Sequence, residues 1–307
     1  MKRRFRFGVL VSRADSLAEW REVARKAEAL GYATLLVADH FGRQLAPLPA
    51  LVAAADATTS IRVGTFVLDN DFRHPAATAK EAATVDVLTN GRLELGIGAG
   101  WNPIDYQKTG LSFEPASTRV SKLEEALQII KRLFQGGEVT LEGRCYQVQN
   151  LEGLPRPVQQ PRPPILIGAA GRRMLTLAAT EADILNFPDR PSVGVSTAGN
   201  PGLGLSMPEQ MAIVRAAAGD RYAALEMSSL TIPRITDQVP QTIQDLAELM
   251  RTSPEVVAAM PGTLVGSHNA IAEKLQEMRE RYDISYPVIP GAAIDSMAPV
   301  LAQLAGT

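Results

Sequence analysis

Gly91-Arg92-Leu93-Glu94-Leu95-Gly96-Ile97-Gly98-Ala99-Gly100-Trp101 is the stretch on which the reading of this chain turns. It opens on a turn glycine, alternates through Leu93, Leu95 and Ile97, and closes with glycine at every second position. Such alternation predicts a buried strand. Gly96, Gly98 and Gly100 leave one face of its end without side chains, and two readings follow. Glycines of this kind serve a bulge or a tight packing contact, or they let a bulky ligand approach backbone whose N–H groups favour an anion.

Outward from this strand, the fourth, the same strand-then-helix rhythm recurs. Toward the N-terminus, strands are expected at residues 6–11, 34–38 and 61–68, with helices following from Ser16 to Leu30 and over 49–59 and 76–88. Ser16 and Glu19 have the spacing of a capping box, and Gly31 stops the first helix. Toward the C-terminus, residues 102–116 read as a loop, and Ser117 starts a helix with Leu123, Leu127, Ile130 and Leu133 at core spacing. A hairpin is expected over 139–148 and an extended proline-rich connector over 155–164. Strands 5 to 8 are expected at 165–167, 184–187, 227–232 and 286–289, with helices between them. Residues 188–207, rich in Gly, Pro and Ser without a period, read as a lid-like loop.

Eight strands alternating with helices predict an α/β fold, either a doubly wound sheet or a (β/α)8 TIM barrel. No G-x-G-x-x-G turn follows strand 1, so a dinucleotide-binding half is disfavoured, and the count of eight favours the barrel as one domain over residues 1–307. The hairpin is then an insertion after helix 4, and the lid-like loop follows strand 6. Barrel chemistry sits on the loops after the strands' C-terminal ends, which here carry Asp39-His40, Asp69 to His74, Gly98 to Asn102, Gly168 to Arg173, and Asn186.

Composition bounds the partners. A formal net charge of −2 over 307 residues offers no electrostatic case for nucleic acid or an anionic membrane, and 46% apolar residues support a large core. The single Cys145 rules out an internal disulfide and a cysteine-rich metal site, and points to a reducing cytoplasm. His40, His74 and His268 are too scattered for a histidine-only metal site, so no metal is expected. No apolar run reaches membrane-spanning length, and the basic start leads into a short strand and not a signal core.

Four blocks carry a family resemblance: Val37-Ala38-Asp39-His40; Arg62 to Val67 with Arg73-His74-Pro75; Asn90-Gly91-Arg92 through Gly100-Trp101; and Pro164 to Gly168 with Gly171. Over roughly residues 5–190, the chain resembles the bacterial-luciferase-like barrel oxidoreductases, which use reduced flavin mononucleotide (FMN) or the deazaflavin coenzyme F420. The resemblance implies an acid–histidine pair, Asp39 and His40, beside the reactive ring, with Asp39 orienting His40 as proton donor or acceptor. It implies a non-proline cis peptide at Phe66–Val67, against one face of that ring. The cofactor phosphate is expected on Gly98, Ala99 and Gly100 after strand 4 and on Ala170, Gly171 and Arg172 after strand 5, where a helix N-terminus favours an anion, with Asn102 and Gly168 as further cofactor-binding residues. Homodimers are common in the family, and the alanine-rich helices over 49–59 and 76–88 suit such an interface.

Two departures bear on the choice within the family. Flavin-using luciferase carries arginine at the position of Ala99, and the deazaflavin sugar-phosphate dehydrogenases carry glutamate at that of Trp101. The first favours F420 over FMN, and the second points to a more apolar substrate. The expectation is an F420-dependent oxidoreductase that moves a hydride to or from a small organic molecule. The alternatives are a monooxygenase fed reduced FMN and a non-catalytic flavin-binding protein. A phosphate-handling isomerase or aldolase lacks an evident lysine at a strand end. Plain structural roles remain for His40, as a hydrogen-bonded rim histidine, for His74, as a helix-start residue, and for Cys145, as an inert hairpin thiol.

Overall fold

Short runs of aliphatic residues recur along the chain, and each becomes a strand of a parallel sheet. Leu35-Leu36-Val37, Ile165-Leu166-Ile167 and Val288-Ile289 are buried throughout, as strands covered on both faces must be. The computed structural model describes residues 2–188 and 205–307. Eight principal strands lie among them: β1 (Gly8–Leu10), β2 (Thr34–Val37), β3 (Arg62–Thr65), β4 (Leu93–Gly98), β5 (Ile165–Gly168), β6 (Ile184–Phe187), β7 (Glu226–Leu230) and β8 (Ile284–Pro290).

They fall in two compact units. The first takes in Val11–Arg25 and Leu35–Gly168. In it β2 lies beside β3, with Phe66 N–H donating to the Val37 carbonyl at 2.8 Å. β3 runs parallel to β4 with Val63 opposite Leu93, and the short strand Leu68–Asp69 continues along β4 opposite Ile97 and Gly98. β4 pairs in turn with β5, Leu95 opposite Ile165. Because all these pairings are parallel, the exits of β2, β3 and β4 gather at one end, and the side chains on them can meet.

The helices of this unit are set by caps and apolar stripes. Asn102 caps Pro103–Thr109, and His74 caps Pro75–Leu88 through Nδ1, which accepts from Ala76 N–H. In Ala116–Gln135 the expected stripe of Leu123, Leu127, Ile130 and Leu133 is buried. Ser16 accepts from Glu19 N–H, whereas the Glu19 carboxylate reaches Asp15 N–H, one residue before the cap, so the capping box is half made. The expected hairpin forms from Glu138–Glu142 and Gln147–Glu152.

The second unit holds the chain up to Leu10, Lys26–Thr34 and the residues from Ala169 onward. Here β1 pairs with β8, β8 with β7, and β7 with β6, again all parallel. A separate parallel pair, Ile232–Ile235 with Thr263–Gly266, packs beside Leu246, Ala247 and Val257. Its first strand begins at Ile232, the end of the strand expected over 227–232, and runs on through Pro233 and Arg234, which interrupt the apolar run. Of the lid-like loop expected at 188–207, residues 189–204 lie outside the described residues.

Candidate active site

The glycines of β4 make room for the protein itself. A Cβ on Gly96 would overlap the Thr65 carbonyl, and one on Gly98 would come within 2.9 Å of Val67 Cγ2. Gly100, at a φ of +74°, lies against the Tyr106 hydroxyl and the Asp69 carboxyl. The packing reading therefore holds at all three positions: β3 and its exit fill the face left bare. The peptide bond Phe66–Val67 is cis, as the resemblance implies. Gly168 is less crowded, with Val67 Cγ2 at 4.0 Å.

His40 ends β2 with its ring half-buried, and its Nδ1 lies 2.7 Å from Asp105 Oδ2. The expected partner, Asp39, faces away. It takes Arg73 through two hydrogen bonds, Nη1 to Oδ2 at 2.6 Å and Nη2 to Oδ1 at 3.2 Å, and accepts Asp69 N–H at 3.2 Å. Adjacent residues of an extended chain project to opposite sides, so Asp39 and His40 cannot both serve one face. The expectation that Asp39 orients His40 is thus corrected: that acid is Asp105, from residues expected to be loop.

Asp105 is itself held in place. Its Oδ1 accepts Phe41 N–H at 3.0 Å, and its Oδ2 accepts the Asn102 amide at 2.7 Å. Burial alone would raise the Asp105 carboxyl; the bonds from His40, Phe41 N–H and Asn102 outweigh it and hold the group below the ordinary aspartate value. An ionised carboxylate only accepts, so the neutral His40 carries its proton on Nδ1 and leaves Nε2 without a hydrogen. Trp101 stands edge-on to the His40 ring at 5.5 Å between centroids. Trp101, Phe41 and Ile104 are each about half exposed, at 47%, 50% and 53%, so Phe41 next in the chain and Trp101 edge-on to the ring give His40 an apolar, open side.

A second acidic group lies on the β3 exit. Asp69 Oδ1 accepts from Asp71 N–H and faces the Tyr106 hydroxyl, both at 3.0 Å. Burial pushes the Asp69 carboxyl up to about 6; the hydrogen bonds from Asp71 and Tyr106 oppose that rise, and the charges of Asp71 and Asp39 add to it. Asp69 and Arg73 fall in a strand exit marked by the sequence, without an assigned role, and Tyr106 and Asp105 in residues expected to be loop. The Asn102-Pro103 pair, a cap residue followed by proline at the first helical position, was the available signal for the helix that carries two of them.

The anion-favouring positions divide between the units. In the first, Ala99 and Gly100 turn their carbonyls to Arg119, at 3.1 and 3.3 Å, and their N–H groups, with that of Trp101, donate to nothing among the described residues. Asn102 is committed to its cap and to Asp105. In the second unit, Gly171 precedes the helix Arg172–Glu181, and the N–H groups of Ala170, Gly171 and Arg172 are likewise free among the described residues. Free amides of this kind fit a phosphate or a ring carbonyl. Among the described residues no helix is long and apolar enough to cross a membrane, and no group of three or more His, Cys, Asp or Glu side chains is placed to hold a metal.

Residues 4–190 match the family described as luciferase-like monooxygenase. An F420-dependent glucose-6-phosphate dehydrogenase of Microbacterium testaceum is 35% identical over 165 residues, 51% of this chain and 48% of that protein. An FMNH(2)-dependent dimethylsulfone monooxygenase of Pseudomonas fluorescens is 27% identical over 82% of this chain and 68% of its own length. The chain spans about half the length of the first curated relatives it matches. Among solved structures, the coenzyme F420 dependent tetrahydromethanopterin reductase of Methanopyrus kandleri superposes with a TM-score of 0.79 at 18% identity, covering 99% of both chains. That likeness shows the fold, an α/β (β/α)8 TIM barrel.

Proposed function

This chain belongs to the luciferase-like monooxygenase family, and from that premise we propose that it is an F420-dependent oxidoreductase, moving a hydride to or from a small, uncharged organic molecule. The observation that carries the reading is His40 at a β-strand exit, with Nδ1 fixed by Asp105, and with Nε2 and neighbouring backbone amides left free among the described residues. When bound, F420 supplies hydride transfer at carbon with little tendency to activate oxygen. The chain's own part is then to bind, to exclude water and to place a proton. Nε2 of His40 gives or takes that proton at the substrate heteroatom, while the ionised Asp105 steadies the ring and stabilises its charged form. Asp39 serves at one remove, by tying the β2 exit to Arg73. Phe66 and Val67 would line one face of the cofactor ring; in the first unit Gly98, Ala99, Gly100 and Gly168, and in the second Ala170, Gly171 and Arg172, would offer amides to an anion. Exposed Trp101, Phe41 and Ile104 favour an apolar substrate over a sugar phosphate.

The F420 assignment rests on Ala99, which puts no cation where a flavin phosphate would meet one, and on the F420-dependent relatives. A monooxygenase working with reduced FMN is the second reading, favoured by the dimethylsulfone monooxygenase that aligns with 82% of this chain. We take the protein as one domain and as a homodimer, because Val87 and Leu88 of the alanine-rich helix Pro75–Leu88 are exposed at 42% and 63%. Cys145 as the sole cysteine suits a cytoplasmic setting.

Fluorescence titration with oxidised F420 and with FMN tests the reading. F420 is expected to bind at least about tenfold more tightly, a difference of about 1.4 kcal/mol. The opposite order replaces this reading with the flavin monooxygenase. Sedimentation of the same preparation is expected to give twice the chain mass, and a monomer at every concentration removes the dimer.

A further inference from the structure

Tyr106 lies between two carboxyl groups and is 1% exposed. Its hydroxyl oxygen is 3.0 Å from Asp69 Oδ1 and 3.1 Å from Asp71 Oδ2. A phenol carries one hydrogen and can donate to one of them only. The other contact is favourable only if that carboxyl brings a hydrogen of its own.

The surroundings choose which one. Asp71 has a cation, with Lys122 Nζ at 3.4 Å from Oδ1. Asp39 has another in Arg73, whose Nε also lies 3.8 Å from Glu81. Arg119, from the same helix as Lys122, is spent on the carbonyls of Glu114, Ala99 and Gly100 and on the Phe113 ring. Asp69 has no ion pair among the described residues, is buried, and sits beside two other carboxylates. Below about pH 6 it is the group that keeps a hydrogen, which leaves the Tyr106 hydrogen to Asp71.

The consequence reaches His40 through one short helix. Pro103–Thr109 has seven residues, too few to hold its place unaided. Tyr106 and Asp105 are consecutive on it, so their side chains leave the axis about 100° apart. One enters the Asp69–Asp71 cluster, and the other reaches Nδ1 of His40. We propose that Tyr106 is a positioning residue for His40: held between Asp69 and Asp71, it fixes the helix that presents Asp105 to the imidazole. The link to turnover rests on the proton-transfer role given above to His40; the link to imidazole geometry does not.

The test reads the imidazole directly. The chain has three histidines, so each ring nitrogen can be followed by ¹⁵N NMR on the full-length protein, with His268, in the other unit, as reference. In the wild type, neutral His40 is expected as the Nδ1–H tautomer, and its signals should show a second inflection near pH 6 as Asp69 ionises. Tyr106→Phe should turn His40 into a mixture of tautomers and leave His268 unchanged. Asp69→Asn removes the titrating carboxyl, so it should abolish the inflection. A folded Tyr106→Phe protein with an unchanged His40 overturns the proposal, as does an inflection that survives in Asp69→Asn. If Tyr106→Phe fails to fold, the Asp69→Asn titration decides. Neither readout needs cofactor or substrate, so an error about the reaction leaves this result standing, and the reverse.

Discussion

The two ends of β3 and β4 both bury charge, and they do it differently. At the strand starts, Arg62 holds Glu94 at 2.9 Å and donates to the Leu93 carbonyl and Gln159, both at 2.8 Å. Gln159 in turn donates to both oxygens of Asp86, at 2.6 and 2.9 Å. Each carboxylate there meets a fixed donor. At the exits, Asp39, Asp69 and Asp71 share Arg73, Lys122 and one phenol, and among the described residues Asp69 is left without a cation. One exit carboxyl is pushed up while another, Asp105, is held down. Satisfied charge at the starts serves stability; unequal charge at the exits places titrating groups where the barrel keeps its chemistry.

Three measurements break or sharpen that contrast. Glu94→Ala leaves Arg62 without its buried partner and should cost about 3 kcal/mol of unfolding free energy in denaturant titrations, while turnover per folded molecule stays near wild type. A matching loss of turnover would erase the distinction between the ends. His40→Ala should act the other way round. Turnover is expected to fall at least about a hundredfold, some 2.7 kcal/mol of barrier, with cofactor affinity changed less than about tenfold and stability by no more than about 1 kcal/mol. Single-turnover kinetics beside a binding titration separate these effects, and near-normal turnover removes His40 from the chemistry.

The smallest effect is the stability of the wild type against pH. Asp69 binds its proton more tightly folded than unfolded, so its contribution is fully present below the ordinary aspartate value and is lost as pH rises through about 6. Between pH 5 and 7 the wild type should lose about 1 kcal/mol relative to Asp69→Asn. Parallel stability curves for the two proteins would mean that the exit cluster is as well matched as the strand starts.

Much of the fold was legible because its signals are local. Ile184–Phe187 falls where its apolar run predicts, and Pro75–Leu88 begins at the proline that marks a first helical turn. The short helix Pro103–Thr109 was passed over because seven residues give too few turns for a periodic stripe, although Asn102-Pro103 signalled its start. The parallel pair from Ile232–Ile235 was obscured by Pro233 and Arg234, residues that read as a break in a strand.

From the sequence alone come the eight-strand rhythm, the glycine strand, and His40 at a strand exit. Each depends on residues within a few positions of one another, where backbone geometry and the burial period act directly. The tertiary structure alone decided what those glycines meet and which acid holds His40. Thr65 and Val67 fill the bare face of β4, and Asp105, 65 residues from His40, takes the place expected of its neighbour Asp39. Adjacent side chains on an extended backbone diverge, so closeness in sequence separates Asp39 from His40, while parallel strands bring distant exits to one end of the sheet and let a third element supply the partner.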